Sequence, residues 1–482
     1  MEGASIPYEA TSTMRTPLPT SHSILRRLSE RFVLLLVTLI VMHAWYIAGI
    51  VPTCRVTSGS MAPALVGLHR SVECEDCGYP FRCGSDAQPV SPHAVCPNCG
   101  YAANDLESQL DTSGDGMLIQ KSIFRMRPPR RWEVVAFRQP QETKRIQVKR
   151  VVGLPGESVR IRDGDVYIDG KIQRKTLSQQ RAMAIPVHDA NFQPTGEPAP
   201  PPRWQGQGPD SRWGSAGAVF AHPEEDDEQI DWLEYRHWRR LVRGDGSGKT
   251  EVLETPITDL CGYDQTRPRR EEEISLVTDL MLSLKLLDWS GEGRLIVRAS
   301  DGSEEFRIEI EPGTGSWAVS QNGRPVASDT RKPAGRKKGL RIEVSLFDQE
   351  FLLAFDGKPV VGWPYVPSQP RQPTSRPLAI GTKGLQVKIG DLRVYRDVYY
   401  TRPVGIRARW GVDQPVQPAD DEYFVLGDNS PVSEDSRTWS QPGVPAKLLV
   451  GKPLVVHFPC RLVYWGESVF QVPDLGRIRY IR

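Results

Sequence analysis

The chain has 482 residues, more than one ordinary core holds, so roughly two to four domains are expected. Its 61 Lys and Arg against 59 Asp and Glu leave a net charge of +2, which excludes an argument for nucleic acid from bulk charge. With 42 Gly and 41 Pro the composition suits a loop-rich β protein better than a helical one.

Residues 1–31 are polar and rich in Ser, Thr and Pro, and are expected to form a disordered tail. Residues 32–50, FVLLLVTLIVMHAWYIAGI, carry no charge. A helix there would be roughly 28 Å long, about one hydrocarbon core. Arg26, Arg27 and Arg31 precede it, and Trp45 and Tyr46 lie near its far end. This pattern predicts a single-pass membrane helix with its N-terminus in the cytoplasm and the rest of the chain across the bilayer. A cleaved signal peptide is the alternative, but the lead is long and no clean A-x-A site follows.

A cysteine-rich patch follows. CEDCG (74–78) and CPNCG (96–100) are two C-x-x-C-G knuckles. Their spacing is a tetrahedral zinc signature and resembles a zinc ribbon, with Cys74, Cys77, Cys96 and Cys99 as ligands. Four cysteines leave no open position, so the expected role is structural. Disulfides are the alternative, since the topology puts the patch outside the cytoplasm. Zinc is favoured because paired knuckles suit a metal and five local cysteines pair poorly. Cys83 is a spare or a substitute ligand. Cys54, Cys261 and Cys460 are isolated and read as core residues.

Residues 114–172 read as short strands, with VVAFR (134–138) as one. SVRIRDGDVYIDGKI (158–172) reads as a hairpin punctuated by Asp-Gly at 163–164 and 169–170. Residues 181–270 read as linker and irregular structure, Pro/Gly/Gln-rich over 185–215, with a solvated acidic run at 224–228. From 271 to 399, strand-like runs recur at short spacing, with Asn-Gly at 322–323 and Asp-Gly at 356–357 placed for hairpin turns. This predicts an antiparallel β-sandwich. It resembles the concanavalin/laminin-G-like jelly rolls, most closely in GDLRVYRD (390–397). Such domains often bind glycans or proteins. A spacer role is an equal alternative.

Three further segments carry chemistry. SGSMAPAL (58–65), VKRVVGLPGE (148–157) and GDNSPVSEDSR (427–437) would each pass alone as a turn, a strand end or a polar loop. In this order, behind an anchor, they resemble the type I signal peptidases of bacteria. GDGMLIQK (114–121) and PPRRWEVVAFRQP (128–140) add a weaker fourth match. Ala64 stands where that family usually has threonine, and Trp132-Glu133 where it has Gly-Asp. The resemblance implies Ser60 as nucleophile, Lys149 as general base, and an oxyanion hole from the Ser60 N–H and the Ser58 hydroxyl. It also implies Ser433 orienting the lysine, with Asp435 and Arg437 as a supporting pair beside Asp428 and Asn429.

A serine hydroxyl needs a base to become a nucleophile. Lysine serves only when neutral, which from its free value of about 10.4 requires a shift of roughly 3.4 units at pH 7. Burial disfavours the ammonium, and Val148, Val151 and Val152 around Lys149 are consistent with a dry strand.

The expected fold is therefore mainly β: an antiparallel signal-peptidase core (51–70, 106–180 and 400–482), a membrane helix (32–50), an inserted zinc ribbon (71–105) and an inserted sandwich (271–399). The expected function is removal of signal peptides from preproteins at the inner membrane. Its partners would be preprotein signal peptides, the lipid bilayer and a glycan or protein ligand of the sandwich, with no nucleic acid. Zinc would be structural, and catalysis would need no cofactor. Two alternatives are a degenerate protease scaffold serving as a surface binding module, and a cytosolic Ser–Lys protease like the self-cleaving repressors.

Overall fold

The computed structural model describes residues 21–47, 53–86, 92–139, 145–196, 199–223, 229–242, 250–266, 269–331, 339–458, 460–465 and 468–481. Most of the polar tail (1–20), the end of the expected membrane span (48–50) and the acidic run (224–228) lie outside these. The chain divides into two compact units, residues 1–52 and 53–482.

In the first unit, helix α1 spans Ser21–Ile47. Its large apolar side chains between Phe32 and Met42 are 44 to 67 % exposed. Among the described residues no helix is long and apolar enough to cross a membrane. Arg27, Glu30 and Arg31 occupy the first part of α1, ahead of the apolar run, and residues 48–50 of the expected span lie outside the described residues.

The second unit is mainly β, as its composition suggests. One antiparallel sheet takes strands from both ends of the sequence: β1 (Thr53–Arg55), β2 (Gly116–Gln120), β3 (Val134–Arg138), β4 (Ile146–Gly153), β5 (Glu422–Leu426), β6 (Val444–Pro445) and β7 (Leu449–Phe458). Their order across the sheet is β1-β2-β7-β3-β4-β5-β6. Val134, Val135, Ala136 and Phe137 are all buried, so β3 packs on both faces and its apolar run is continuous rather than alternating. The expected hairpin is present as Val159–Arg162 against Asp165–Ile168, extended by Lys171–Ile172. Asp163 and Gly164 have φ of 52° and 87°, the paired left-handed conformation of a two-residue turn.

Between β1 and β2 the chain carries the two cysteine knuckles. Gly78 and Gly100 each have φ of +71°. Each donates its N–H back to the first cysteine of its knuckle, at 2.8 Å for Gly78 and 2.9 Å for Gly100. The motif glycine is thus explained: a left-handed residue must close the turn.

Residues 185–396 contribute an eight-stranded and a seven-stranded antiparallel sheet that share a large apolar core. Asn322-Gly323 and Asp356-Gly357 form the expected turns, with φ between 48° and 82°. The run ending in GDLRVYRD is the strand Gln386–Arg396, paired along most of its length with Leu280–Ser290. The reading of 181–270 as linker needs correction. Ile185–Asp189 and Val219–His222 pair with Gln386–Arg396, and Asp231–Tyr235 pairs with Leu378–Lys383. Trp204, Phe220, Leu233 and Tyr235 enter the sandwich core. These strands have three to five residues, too short for their periodicity to show between proline-rich turns.

A buried ionic network ties the sandwich to the hairpin. Lys175 Nζ donates to Asp348 at 2.5 Å and to Asp397 at 2.7 Å. Arg371 bridges Asp165, at 2.9 Å, and Asp279.

Candidate active site

Ser60 lies in a single 3-10 turn, Gly59–Met61, just after β1. Lys149 lies on the interior strand β4, opposite Val135 of β3. Ser58, Ser60 and Lys149 line one cleft of about 290 Å³ with Val432 and Glu434. Ser58 Oγ donates to Ser60 Oγ at 3.4 Å. Lys149 Nζ donates to Ser433 Oγ at 3.0 Å. The two groups thus share a cleft while the amine rests on Ser433. Catalytic contacts commonly tighten only when substrate is bound.

Lys149 is 3 % exposed. Burial pushes its amine down to about 8, against the pull of Asp435 and with help from Arg437. The pair beside it is fully enclosed: Arg437 Nε and Nη2 grip Asp435 at 2.9 and 2.7 Å. Burial works against ionisation of Asp435, and the guanidinium outweighs it, holding the carboxyl below its usual range. Gly427 N–H also donates to Asp435, at 3.0 Å. A second fork, Arg150 on Asp428 at 2.7 and 2.6 Å, fastens β4 to the end of β5.

Gly427 allows this close fit, since a Cβ there would lie 2.2 Å from Ser433 Oγ and 2.4 Å from the Ser60 carbonyl oxygen. Asn429 donates its backbone N–H to that same carbonyl at 3.1 Å and its amide to Gly59 O at 3.0 Å. All eight expected residues (Ser58, Ser60, Lys149, Asp428, Asn429, Ser433, Asp435 and Arg437) therefore converge around one turn.

The departure at Trp132-Glu133 has a structural reading. Trp132 has φ of 68°, the left-handed region where glycine is unstrained, and its ring faces the Lys175 ammonium at 4.6 Å. Glu133 supplies a carboxylate that binds Arg127 at 2.7 Å and Lys452 at 2.6 Å.

Some neighbours of the turn could not be read from motifs. Tyr263 lies against Gly59, where a Cβ would be 2.1 Å from its ring, and donates to Leu68 O at 2.7 Å. Asp264 accepts from the Asn429 amide at 2.6 Å. Asp86 accepts from Gly59 N–H at 3.0 Å. Arg150 was visible in the lysine motif but not its fork to Asp428.

Cys74, Cys77, Cys96 and Cys99 are buried, with all four sulfurs within 4.8 Å of one another. Two sulfur pairs lie at 3.6 and 3.8 Å. A tetrahedral ion with metal–sulfur bonds of about 2.3 Å needs sulfurs about 3.8 Å apart, whereas a disulfide needs about 2.05 Å. The donor set fits zinc. Cys83 is buried but outside this group, its thiol pushed up to about 11 by burial. Cys54 and Cys261 are only half-buried, and the side chain of Cys460 lies outside the described residues.

A family model described as signal peptidase, peptidase S26, matches residues 29–198 and 401–458, just under half of the chain. The probable signal peptidase I-2 of Synechocystis sp. is 38 % identical over 80 residues, covering 16 % of this chain and 35 % of that protein. Signal peptidase I V of Bacillus subtilis is 34 % identical over 58 residues, 12 % of this chain and 33 % of that protein. The chain thus spans about a third of these relatives' length. Among solved structures, the exoplasmic/lumenal domain of VIP36 covers 45 % of this chain and 93 % of its own, at 10 % identity and a TM-score of 0.28. Sheep galectin-11 covers 25 % of this chain and 92 % of its own, at 15 % identity and a TM-score of 0.19. The matched segments supply every strand from β1 to β7 and the turn that holds Ser60, so the likeness to signal peptidases falls on the sheet that carries the candidate site.

Proposed function

We propose that this protein removes signal peptides from exported preproteins, with Ser60 as nucleophile and Lys149 as general base. The observation that carries this reading is a fully enclosed lysine, shifted to about 8, sharing a cleft with a serine on a tight turn. Neutral Lys149 takes the Ser60 proton as Oγ attacks the scissile carbonyl. The ammonium then returns that proton to the leaving amine, which departs and leaves an acyl-enzyme. A water, deprotonated by the same amine, releases the signal peptide acid and restores Ser60. Ser433 holds the amine in register, and the Ser58 hydroxyl and Ser60 N–H receive the developing oxyanion.

In this reading α1 is a membrane anchor in the inner membrane, with the N-terminus cytoplasmic and the second unit on the outer side. The exposed apolar side chains from Phe32 to Met42 support it, as does the uncharged sequence continuing to Ile50. Zinc in the cysteine site is structural. The sandwich insertion braces the serine turn through Tyr263 and Asp264.

The test is cleavage of a preprotein by the full chain in detergent. Only neutral lysine accepts a proton, so kcat/KM should climb with pH through about 8 and level off above it. At pH 7 about a tenth of the enzyme is competent. Equal activity at pH 6 and pH 9 would remove Lys149 from the role. A second measurement addresses the brace. Asp264→Ala should lower kcat about tenfold with KM nearly unchanged, and Asp264→Asn should recover most of it. A fall in melting temperature with kcat intact would make the contact structural only.

A further inference from the structure

A cavity of about 550 Å³ on the second unit is lined by Arg82, Arg150, Arg181, Arg477 and Arg479, with no acidic side chain in its lining. Four of these cations have anions elsewhere. Arg150 is held by Asp428 and Arg181 by Glu343. Arg477 and Arg479 share Asp115, at 3.3 and 2.9 Å. Arg82 is different. It projects from the strand Pro80–Gly84 and has no hydrogen bond or ion pair from its guanidinium among the described residues. Its Nε is buried without a partner. Burial, and then the charge of Arg477 beside it, push the guanidinium down to about 10.

Arg82 is half-buried with its Nε enclosed, and an unpaired cation so placed is costly, the usual remedy being an anion. Guanidinium forks match the geometry of a phosphate group better than that of a point anion. The rim adds a second chemistry. Tyr480 lines the cavity and is 78 % exposed, Leu475 is 74 % exposed, and Ile478 is also exposed on the same terminal segment. Exposed apolar side chains around a basic cavity suit a phosphate that carries acyl chains.

The geometry points to a phosphate-ester site at Arg82, Arg477 and Arg479, filled by the headgroup of an anionic phospholipid with its chains against Leu475 and Tyr480. Leu65 lines both this cavity and the Ser60 cleft, but none of the three arginines lines the cleft, and the inference does not need the peptidase reading.

Calorimetric titration of the full chain in nonionic detergent, at constant ionic strength, tests it. The probes are inorganic phosphate, dihexanoylphosphatidylglycerol and zwitterionic dihexanoylphosphatidylcholine. Phosphatidylglycerol should saturate one site, with phosphatidylcholine at least tenfold weaker. Arg82→Gln should weaken phosphatidylglycerol at least tenfold, about the loss of one charge-assisted contact, and Arg82→Lys by less. Leu475→Ser with Tyr480→Ser should weaken the lipid and leave inorganic phosphate unchanged. Inorganic phosphate binding as tightly as the lipid in every variant would overturn the lipid assignment and leave a free-phosphate site. No saturable binding of any probe, or full affinity in both Arg82→Gln and the rim variant, would overturn the proposal altogether. A melting curve of each variant guards against misfolding, and the rim variant leaves every arginine in place.

Discussion

Ser60→Ala and Lys149→Met should each lower preprotein cleavage by at least about a thousandfold, because neither member of a nucleophile–base pair works without the other. The double variant should be no worse than either single one. That non-additivity separates a dyad from two independent contributions. The two substitutions should differ in stability. Ser60 is half-buried on a turn, and removing its hydroxyl should change the melting temperature little. Lys149 is a buried amine whose value in the folded protein, about 8, lies below its ordinary one. Folding therefore favours its neutral form. The associated stability is present above the unfolded value near 10.5 and is lost as pH falls through the folded value near 8. At pH 7 the penalty is on the order of 3 kcal/mol. Lys149→Met removes it, at the cost of the bond to Ser433, so the variant should be more stable by roughly 1–2 kcal/mol at pH 7 and gain less at pH 10. Urea unfolding at the two pH values would show this. Loss of activity with stability also falling at pH 7 would mean that Lys149 is not the strained group the geometry describes. Cleavage retained in Ser60→Ala would sink the dyad outright.

The site was legible because its residues cluster in short motifs that must each satisfy a local constraint. Gly427 has no room for a Cβ, Asp435 and Arg437 pair across one residue, and Lys149 sits in a valine run that becomes β4. What escaped was anything that depends on a distant segment meeting the turn. Tyr263 and Asp264 lie about two hundred residues from Ser60 in a stretch without periodicity, and only the folded chain brings them to Gly59 and Asn429. The short strands between 185 and 235 were hidden for another reason. Each has only a few apolar residues, and proline and glycine dominate the composition around them. Trp132 shows the converse. Its backbone conformation belongs to glycine, so the sequence pointed away from a geometry that the structure retains. A buried ammonium over its ring is a tertiary contact that no local pattern encodes.

The second large effect should come from the cysteines. The purified protein should carry one zinc per chain, and Cys77→Ser or Cys96→Ser should lose it with a drop in stability of several kcal/mol. The site is a joint rather than an isolated knob, which is why the effect should spread. Asp76, inside the first knuckle, accepts from the N–H groups of Thr195 and Gly196 at 3.0 and 2.8 Å and from Arg240 at 2.9 Å. Asn98, inside the second, accepts from Asp189 N–H at 2.8 Å and donates to Phe192 O at 3.0 Å. Both knuckles thus hold the edge of the sandwich, whose following segment carries Tyr263 and Asp264 to the serine turn. The strand after the first knuckle leads to Asp86, which accepts from Gly59 N–H. Two routes therefore run from the cysteine cluster to Ser60. Chelation under native conditions should lower kcat and increase protease nicking of residues 190–200 together, and zinc should restore both. Disulfides would behave otherwise: no metal, no free thiols at these positions in denaturant, and sensitivity to reductant instead of chelator. That outcome would also refute the sulfur spacing of 3.6 to 3.8 Å, which suits a metal and is too long for a covalent bond.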